Sequence, residues 1–397
     1  MKWASALSCK APAPAAFLEA AAELDERLGG ASPDLLLAFA SAGDPAGCEA
    51  VGELAAQRYP GALLAGCTGH GVIGDAREAE EVPAVALTAA VLPEVECTGF
   101  HVDMTTLPDP DAEISLWTRI SGATAHSRPS FLLLADPFTI DADALIEGLD
   151  HAYPGAPKVG GLASGGEEAG DHRLLLGRDV HRSGAVGIAL RGDVEVETII
   201  AQGCRPIGQP MLVTRCHGGV VHELDRGTPL KVLGELFQSL DVRDRALMQE
   251  SLFVGLDMRE ERVEYDPHEL LVRNIVGADQ QSGAVAIGAA LRPMQVVQFM
   301  LRDAHTAEED LRRMLDRRRH SGKRARGALL FSCTGRGAGL FGHPDHDTGM
   351  FEETLGPVPL GGFFCNGEIG PVGGVTFLHG YTSAFALFRE SRPPPDA

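Results

Sequence analysis

The sequence has few basic and few aromatic residues, and its cysteines form no CxxC pair. It contains 34 Lys+Arg against 55 Asp+Glu, a net charge of −21, which argues against nucleic-acid and membrane partners because phosphate groups carry the same sign. No apolar run reaches the ~18–20 residues that cross a bilayer, and MKWASALSCK at the start is too short for a secretory signal. The eight cysteines lie too far apart for a zinc or disulfide framework. These absences predict a reduced, cytoplasmic protein.

Glycine, in contrast, is abundant, with 48 in 397 residues, about 12% where roughly 7% is usual. The windows 66–74, 155–170, 335–342 and 356–374 hold 21 of these glycines. Each window lies at or near the end of an apolar stretch, so we expect the glycines to form strand-end turns.

A short unit recurs along the chain. An apolar strand (35–40, 131–135 and 329–332) ends in a polar turn, and a helix (about 45–58, 141–152 and 347–355) and a second strand ending in glycines follow. Such crossovers imply parallel pairing, whereas 84–100, 185–200, 284–300 and 374–388 are expected to be antiparallel strand pairs. A degenerate copy of the unit is expected near 229–258, with its helix at 229–239.

Longer similarities suggest a duplication. Residues 84–103 match 284–303 at seven of twenty positions, and KVGGLASGGE (158–167) matches PLGGFFCNGE (359–368). The sequence therefore predicts an α/β fold with mixed sheets and two homologous halves, each made of strand–helix–strand units followed by antiparallel strand pairs. The expected domains are 32–215 and 216–390, and 391–397 is a flexible tail.

Four stretches resemble a known family: GCTGHGVIG (66–74), AQGCRPIGQPMLVT (201–214), ELLVRNIVG (269–277) and VPLGGFFCNGEIGP (358–371). Together they resemble the FIST family (F-box and intracellular signal transduction proteins) over residues 32–390, including its N-terminal and C-terminal domains. The resemblance implies a domain that senses a small ligand, with amino acids proposed. Such domains are usually fused to an output domain, for which 397 residues leave no room, so we expect a stand-alone sensor and a protein signalling partner.

We expect a small polar, amino-acid-like ligand in a cleft between the halves. Arg336 would bind a ligand carboxylate and Glu368 a ligand ammonium group, although Glu368 could instead pair with a protein arginine. Arg205 would either close the pocket or fix the linker. The full set of candidate ligand-binding residues is Cys67, Thr68, His70, Ser164, Arg205, Cys333, Thr334, Arg336, Cys365, Asn366 and Glu368.

Other chemistries have weaker support. The GxGxxG at 69–74 leaves too little room before Pro83 for a dinucleotide-binding helix, so no cofactor is expected. HPDHD (343–347) offers too few spaced ligands for a metal, and Asp345 or Asp347 is expected to cap the next helix.

Two alternative functions remain open. Cys333 or Cys365, with His343 or His346 as a base, would make a cysteine-dependent enzyme. A protein-interaction scaffold is the other alternative. The basic stretch 312–326 contains no aromatic residue, so we interpret it as a solvated helix face rather than a nucleic-acid site.

Overall fold

The computed structural model describes residues 1–258 and 270–391. Its contacts divide the chain into two compact units, one formed by Met1–Ala201 and Arg312–Ala397, the other by Gln202–Leu311. The division at residues 215 and 216 follows sequence similarity rather than contacts, and it stays a prediction. The expected tail, 391–397, lies outside the described residues apart from Ser391.

The first unit contains three sheets and the helices that cover them. Its elements are β1 (Lys2–Ser8), α1 (Ala13–Leu28), β2 (Leu35–Ser41), α2 (Pro45–Arg58), β3 (Leu63–Gly69), β4 (Val72–Gly74), β5 (Arg77–Ala79), β6 (Val85–Val91), β7 (Val95–Val102), α3 (Ile114–Ser121), β8 (Ser130–Ala135), α4 (Ala142–Ala152), β9 (Lys158–Leu162), β10 (Leu174–Leu176), β11 (Asp179–His181), β12 (Ala185–Gly192), β13 (Glu195–Ala201), β20 (Gly327–Cys333), α8 (Gly337–Phe341), α9 (His346–Leu355), β21 (Leu360–Cys365), β22 (Glu368–Val372), β23 (Val375–His379) and β24 (Ser383–Arg389).

The second unit lies in the chain between β13 and β20. Its elements are β14 (Arg205–His217), β15 (Val220–Leu224), α5 (Pro229–Ser239), α6 (Val242–Glu250), β16 (Leu252–Leu256), β17 (Leu271–Ala278), β18 (Val285–Ile287) and β19 (Val296–Leu301), and the helix α7 (Ala304–His320) contains the boundary to the first unit.

The three predicted strand–helix–strand units are present. The strand pairs β2–β3, β8–β9 and β20–β21 are parallel, as their crossover helices require. Local signals fix two of these helices, because the Asp44 carboxylate accepts from the Gly47 N–H at 2.8 Å and Asp141 accepts from Ala144 at 2.9 Å. The predictions of a mixed α/β fold and of these helices are confirmed.

The three sheets share one strand order. They run β1-β6-β2-β3-β10-β11, β7-β12-β8-β9-β22-β23 and β13-β24-β20-β21-β4-β5. In each sheet the parallel pair is central, and an antiparallel hairpin completes one edge. The hairpin β4–β5 follows β3 in the chain but pairs with β21. The hairpin β10–β11 follows β9 but pairs with β3, and the hairpin β22–β23 follows β21 but pairs with β9. The sheets thus exchange hairpins in a cycle.

The four segments expected to be antiparallel pairs each contain two strands that do not pair with each other. β6 has β1 and β2 on its two edges, so β7 pairs with β12 in another sheet instead. The same separation holds for β12 and β13, for β23 and β24, and for β18 and β19. The antiparallel pairs that do follow the units are β4–β5, β10–β11 and β22–β23.

The similarity at an offset of two hundred positions does not relate equivalent strands. Residues 84–103 form β6 and β7 of the sheets, whereas 284–303 form β18 and β19 of the second unit. The match of 158–167 with 359–368 does relate equivalent strands, β9 and β21, but one position out of register. The match aligns Gly160 with Gly361, whereas in the structure the counterpart of Gly160 is Gly362. These two glycines lie against the carbonyl oxygens of Leu133 and Leu330 on the neighbouring strands, where an added Cβ would come within 1.8 Å.

The core of the first unit lies where the three sheets meet. Phe39 of β2 stacks on Phe363 of β21 with ring centroids 5.0 Å apart, and Phe331 of β20 meets Phe363 edge-on at 5.8 Å. Leu132 and Leu134 of β8 belong to the same buried cluster. These strands read as continuous apolar runs because both of their faces are covered.

The second unit is a closed barrel in the order β14-β15-β18-β17-β16-β19. The helix predicted at 229–239 is confirmed as α5. The expected strand–helix–strand unit near 229–258 is wrong, because β16 joins β17 and β19 in antiparallel pairs of the barrel. The first strand of that expected unit has no counterpart in the described part of this segment.

Candidate functional site

A cavity of about 460 Å³ lies at the carboxyl ends of β2 and β3. Because these two strands are parallel, the loops that follow them meet at one edge of the sheet. We call this cavity the strand-end pocket. It is lined by Lys10, Ala11, Pro12, Ala13, Ser41, Ala42, Gly43, Asp44, His70, Glu81, Val82, Pro83, Ala84 and Gly165.

Hydrogen bonds fix one wall of the strand-end pocket. The Ser41 hydroxyl donates to the carbonyl of Val82 at 3.0 Å and accepts from the N–H of Ala84 at 2.9 Å. The Ala42 N–H donates to the Gly69 carbonyl at 2.9 Å. These bonds hold the loop before β6 against the ends of β2 and β3, and thereby place the exposed Glu81 and Val82 at the rim.

Charges of both signs lie in this pocket. Lys10 forms an ion pair with Glu19 at 2.6 Å, with 60% of the lysine side chain and 44% of the glutamate side chain exposed. His70 is exposed, and Asp44 and Glu81 supply carboxylates. An exposed ion pair contributes only about 0–1 kcal/mol, so Lys10 can leave Glu19 for a ligand at little cost.

Ser164 fixes the backbone of His70 from behind the pocket. Its hydroxyl accepts from the His70 N–H at 2.8 Å and donates to the carbonyl of Phe364. Its own N–H donates to the Thr68 carbonyl at 3.4 Å. The structure thus brings the predicted residues Thr68, His70 and Ser164 together. Thr68 and Ser164 are buried and act as its framework, whereas His70 faces the cavity.

The cysteines Cys67 and Cys365 are buried in the core. Burial raises the pKa of both thiols well above their usual value, and for Cys365 the charge of Glu368 adds to this effect. An added Cβ on Gly161 would lie 2.3 Å from the Cys365 sulfur, so that thiol is tightly packed. A protonated, enclosed thiol is a poor nucleophile.

Arg336, expected to bind a ligand carboxylate, is instead paired with a protein carboxylate. Its Nε and Nη2 donate to Asp347 at 2.7 and 2.9 Å, and both side chains are buried. Burial alone would raise the pKa of Asp347, but the Arg336 charge and hydrogen bonds from His346, Arg336 and Ser383 hold it well below its usual range. The guanidinium therefore serves the fold.

Sequence reasoning missed a second buried acid beside this pair. Glu78 accepts from the Thr348 N–H at 2.9 Å. Burial, followed by the charge of Asp347, raises its pKa to about 8. Nothing in the sequence around Glu78 signals burial, since it lies in the short strand β5 of an exchanged hairpin.

Asp345 occupies the cap position of α9, as the sequence predicts, but in a left-handed conformation (φ 59°) and without a side-chain cap bond. Its carboxylate accepts from the Glu78 N–H at 2.6 Å. Asp347 lies inside the helix.

The remaining predicted residues take structural or exposed positions. Glu368 is buried and accepts from the Thr382 N–H at 3.1 Å, which holds the turn before β24. Cys333 is buried, while Thr334 and Asn366 are exposed at strand ends. Arg205 belongs to the second unit, where it pairs with Asp244.

Within residues 1–258 and 270–391, no group of three or more His, Cys, Asp or Glu side chains is placed to hold a metal ion. No described helix is both long and apolar enough to cross a membrane.

Two solved structures are distantly similar to this chain. A cyanuric acid hydrolase aligns with 98% of this chain and 100% of its own at 10% identity and a TM-score of 0.34. Another, from A. caulinodans, covers 98% and 99% at 8% identity and a TM-score of 0.35. Both TM-scores lie below 0.5, so neither fold nor activity is transferred from these structures.

Sequence comparison gives a clear family. The chain is 39% identical over 381 residues to the uncharacterized protein Rv0628c of Mycobacterium tuberculosis, covering 94% of this chain and 96% of the relative. It is 36% identical over 385 residues to the uncharacterized protein Mb0898c of Mycobacterium bovis, covering 96% and 97%. The FIST N domain matches residues 34–226 and the FIST C domain matches 229–371, so the two halves are those of this family. FIST domains are in general small-ligand-sensing domains of signal transduction, and this chain belongs to the FIST family.

Proposed function

We propose that this protein senses a small zwitterionic metabolite of the amino-acid type, and that the ligand binds in the strand-end pocket. The observation that carries the proposal is the cavity of about 460 Å³ at the carboxyl ends of two parallel strands. Its size falls within the roughly 300–1,000 Å³ usual for small-molecule sites, and its place is where open α/β sheets bind ligands.

The charges around the pocket suit a zwitterion. Lys10 offers an ammonium group for a ligand carboxylate, while Asp44 and Glu81 offer carboxylates for a ligand ammonium group. Charge-assisted hydrogen bonds of this kind contribute about 1.5–3 kcal/mol each. Apolar atoms of Pro12 and Val82 lie beside these groups and can contact a ligand side chain.

The position of His70 supports a specific polar contact. Its backbone is held by Ser164 at 2.8 Å, so its side chain starts from a fixed point although it is exposed. A fixed backbone lowers the entropy that binding must otherwise remove. We assign His70 the role of a hydrogen-bonding contact to the ligand, with Ser164 as its positioning residue.

The proposal differs in place from the expected cleft between the halves. All residues lining the strand-end pocket come from 10–165, before the expected boundary between the halves at 215 and 216. Arg336 and Glu368 have protein partners, so we give the ligand charges to Lys10, Asp44 and Glu81 instead. The sensor is proposed to act in the cytoplasm on a protein signalling partner.

A thermal-shift screen of the twenty amino acids and related metabolites tests the proposal. Stabilisation follows RT ln(1 + [L]/Kd), so a ligand with micromolar affinity at millimolar concentration adds about 4 kcal/mol. We expect Lys10→Ala, His70→Ala and Glu81→Gln each to weaken the binding of the stabilising compound about tenfold or more in a titration. Each removes one contact that corresponds to at least about 1.4 kcal/mol.

Matched controls come from the second unit. Lys231→Ala removes a lysine with the same kind of exposed partner, Glu235, and His305→Ala removes an exposed histidine. Both should leave the affinity unchanged. The proposed site would be refuted if no compound stabilises the wild type. It would also be refuted if the three pocket variants bind the stabilising compound as tightly as the wild type does.

A further inference from the structure

A second cavity, of about 680 Å³, lies in the first unit at the amino ends of β20 and β21. The chain segments just before these two strands form most of its wall. We call it the cationic cavity. It is lined by Arg318, Arg319, Gly322, Lys323, Arg324, Ala325, Arg326, Thr354, Leu355, Gly356, Pro357, Val358 and Leu387.

The charge of this cavity is opposite to that of the chain. Five of its lining residues are Arg or Lys, and none of the lining residues is acidic, in a protein that carries 55 acidic against 34 basic residues. Solvated basic residues on an acidic protein are expected to have acidic neighbours on the same surface. A concave wall with one sign of charge raises the local concentration of ligands of the other sign.

Ion pairs with acids outside the lining hold four of these cations. Arg318 pairs with Glu197 at 3.1 Å and Arg319 with Asp316 at 2.8 Å. Lys323 pairs with Glu195 at 3.5 Å and Arg326 with Glu390 at 3.1 Å. The side chains of Lys323 and Arg326 stay about half exposed, at 47% and 53%, so they can also reach a ligand in the cavity.

Arg318 and Arg324 differ in how they are held. Arg318 is 6% exposed and its Nη1 donates to Ser321 at 2.9 Å, which fixes the guanidinium. Arg324 is exposed and, within the described residues, has no ion pair. The exposed Arg324 guanidinium suits an anion with several oxygens, because arginine binds phosphate through paired hydrogen bonds. The buried Arg318 adds fixed positive charge to the wall.

The rest of the wall is apolar. Leu355, Pro357, Val358 and Leu387 present hydrocarbon beside the cations. An inorganic anion would leave this surface uncovered, whereas an organic moiety would cover it.

We propose that the cationic cavity binds a small phosphorylated organic molecule. The phosphate contacts Lys323, Arg324 and Arg326, and the organic part contacts Val358 and Leu387. The site is separate from the strand-end pocket, and the two share no lining residue. The basic stretch interpreted from sequence as a solvated face is thus divided, with Arg312, Arg313 and Arg317 outside the lining.

The test compares phosphorylated compounds with their unphosphorylated counterparts by calorimetric titration of the full chain in about 50 mM salt. The probes are AMP and adenosine, glucose 6-phosphate and glucose, and inorganic phosphate. We expect at least one phosphorylated compound to bind about tenfold or more tightly than both its counterpart and inorganic phosphate, and its affinity to fall as salt is raised.

Charge variants locate the binding. Arg324→Glu and Lys323→Ala should each weaken it about tenfold or more. Arg317→Glu makes the same charge change one residue outside the cavity and should weaken it clearly less, because it acts only through the screened field and removes no contact with the phosphate. If circular dichroism shows that Arg324→Glu does not fold, Arg324→Ala replaces it. The proposal is overturned if no phosphorylated probe binds at millimolar concentration, or if Arg317→Glu weakens binding as much as Arg324→Glu.

Discussion

The backbone N–H of His70 donates a hydrogen bond of 2.8 Å to the hydroxyl of Ser164, which in turn donates to the carbonyl of Phe364. These residues follow β3, follow β9 and lie in β21, so one hydroxyl joins strand ends from all three sheets. Ser164 is buried, and its hydroxyl bridges the N–H of His70 and the carbonyl of Phe364.

We predict that Ser164→Ala lowers the free energy of unfolding by about 1–3 kcal/mol, because it leaves the His70 N–H and the Phe364 carbonyl without this partner. Urea unfolding measures the change. Ser183→Ala, at an exposed position, should stay within about 0.5 kcal/mol. Equal effects of the two substitutions would mean that the hydroxyl does not join the strand ends.

The ion pair between Arg336 and Asp347 leads to a second prediction. Arg336→Met leaves a buried carboxylate without its cation, so we expect a loss of about 3–5 kcal/mol in the free energy of unfolding. Arg317→Met, at an exposed position on α7, serves as the control. Asp347→Asn in the Arg336→Met background should recover part of the loss, and the failure of this double variant to recover any would argue against the pair.

The elements that could be predicted from sequence are those with local signals. Asp44 and Asp141 cap helices that begin where the sequence indicates, and the helix at 229–239 begins at a proline, Pro229, in its first turn. The exchange of hairpins between sheets could not be predicted. In the exchanged hairpin, Val72 of β4 pairs with Phe363 of β21, almost three hundred residues away. The residues of a short strand set which of its faces is buried but not which distant strand it pairs with.

For the same reason, the sequence indicates only part of the proposed ligand site. His70 follows a strand and a glycine cluster, and this pattern placed it correctly at a strand end. Lys10 and Glu81 lie in loops that reach the pocket only through the pairing of β1 and β6, so no local pattern singles them out. The sequence places Arg336 after a strand end, which is why we expect it to bind a ligand. It does not indicate that the side chain of Asp347, which lies in α9, turns towards this arginine.

Close backbone approach gives a third prediction, at Gly66. A Cβ there would lie 1.8 Å from the carbonyl oxygen of Ala38 on the paired strand, which no side-chain movement relieves. Gly66→Ala should therefore lower the free energy of unfolding by about 3 kcal/mol or more, or abolish soluble expression. Gly61→Ala, where a Cβ meets nothing within 4 Å, is the matched control, measured by thermal unfolding. If Gly66→Ala is as stable as the wild type, the backbones of β2 and β3 can move apart at this position without loss of stability, and the prediction is wrong.

A fourth prediction concerns pH. The pKa of Glu78 is raised from 4.5 to about 8 by burial and then by the charge of Asp347. Between pH 4.5 and pH 8 the unfolded chain has already released the proton that Glu78 still holds in the folded state. The contribution of protonated Glu78 to the free energy of unfolding is therefore complete below about pH 4.5 and is lost as the pH rises towards 8. Glu78→Gln keeps a carbonyl oxygen for the Thr348 N–H but cannot ionise.

The stability of Glu78→Gln relative to the wild type should accordingly increase from pH 5 to pH 8. Chemical unfolding at several pH values measures it, with the exposed Glu235→Gln as control. Parallel stability curves for Glu78→Gln and the wild type would show that Glu78 titrates at its ordinary pKa.

A fifth prediction separates the sensor from the cysteine-dependent enzyme. Burial raises the pKa of Cys67 and Cys365, and only the thiolate reacts readily with iodoacetamide. At neutral pH we expect the exposed Cys9 to be labelled well before Cys67 and Cys365, as followed by peptide mass spectrometry, whereas all eight cysteines should react in denaturant. Labelling of Cys333 or Cys365 in the native protein faster than that of Cys9 would instead favour an enzyme with an activated thiol.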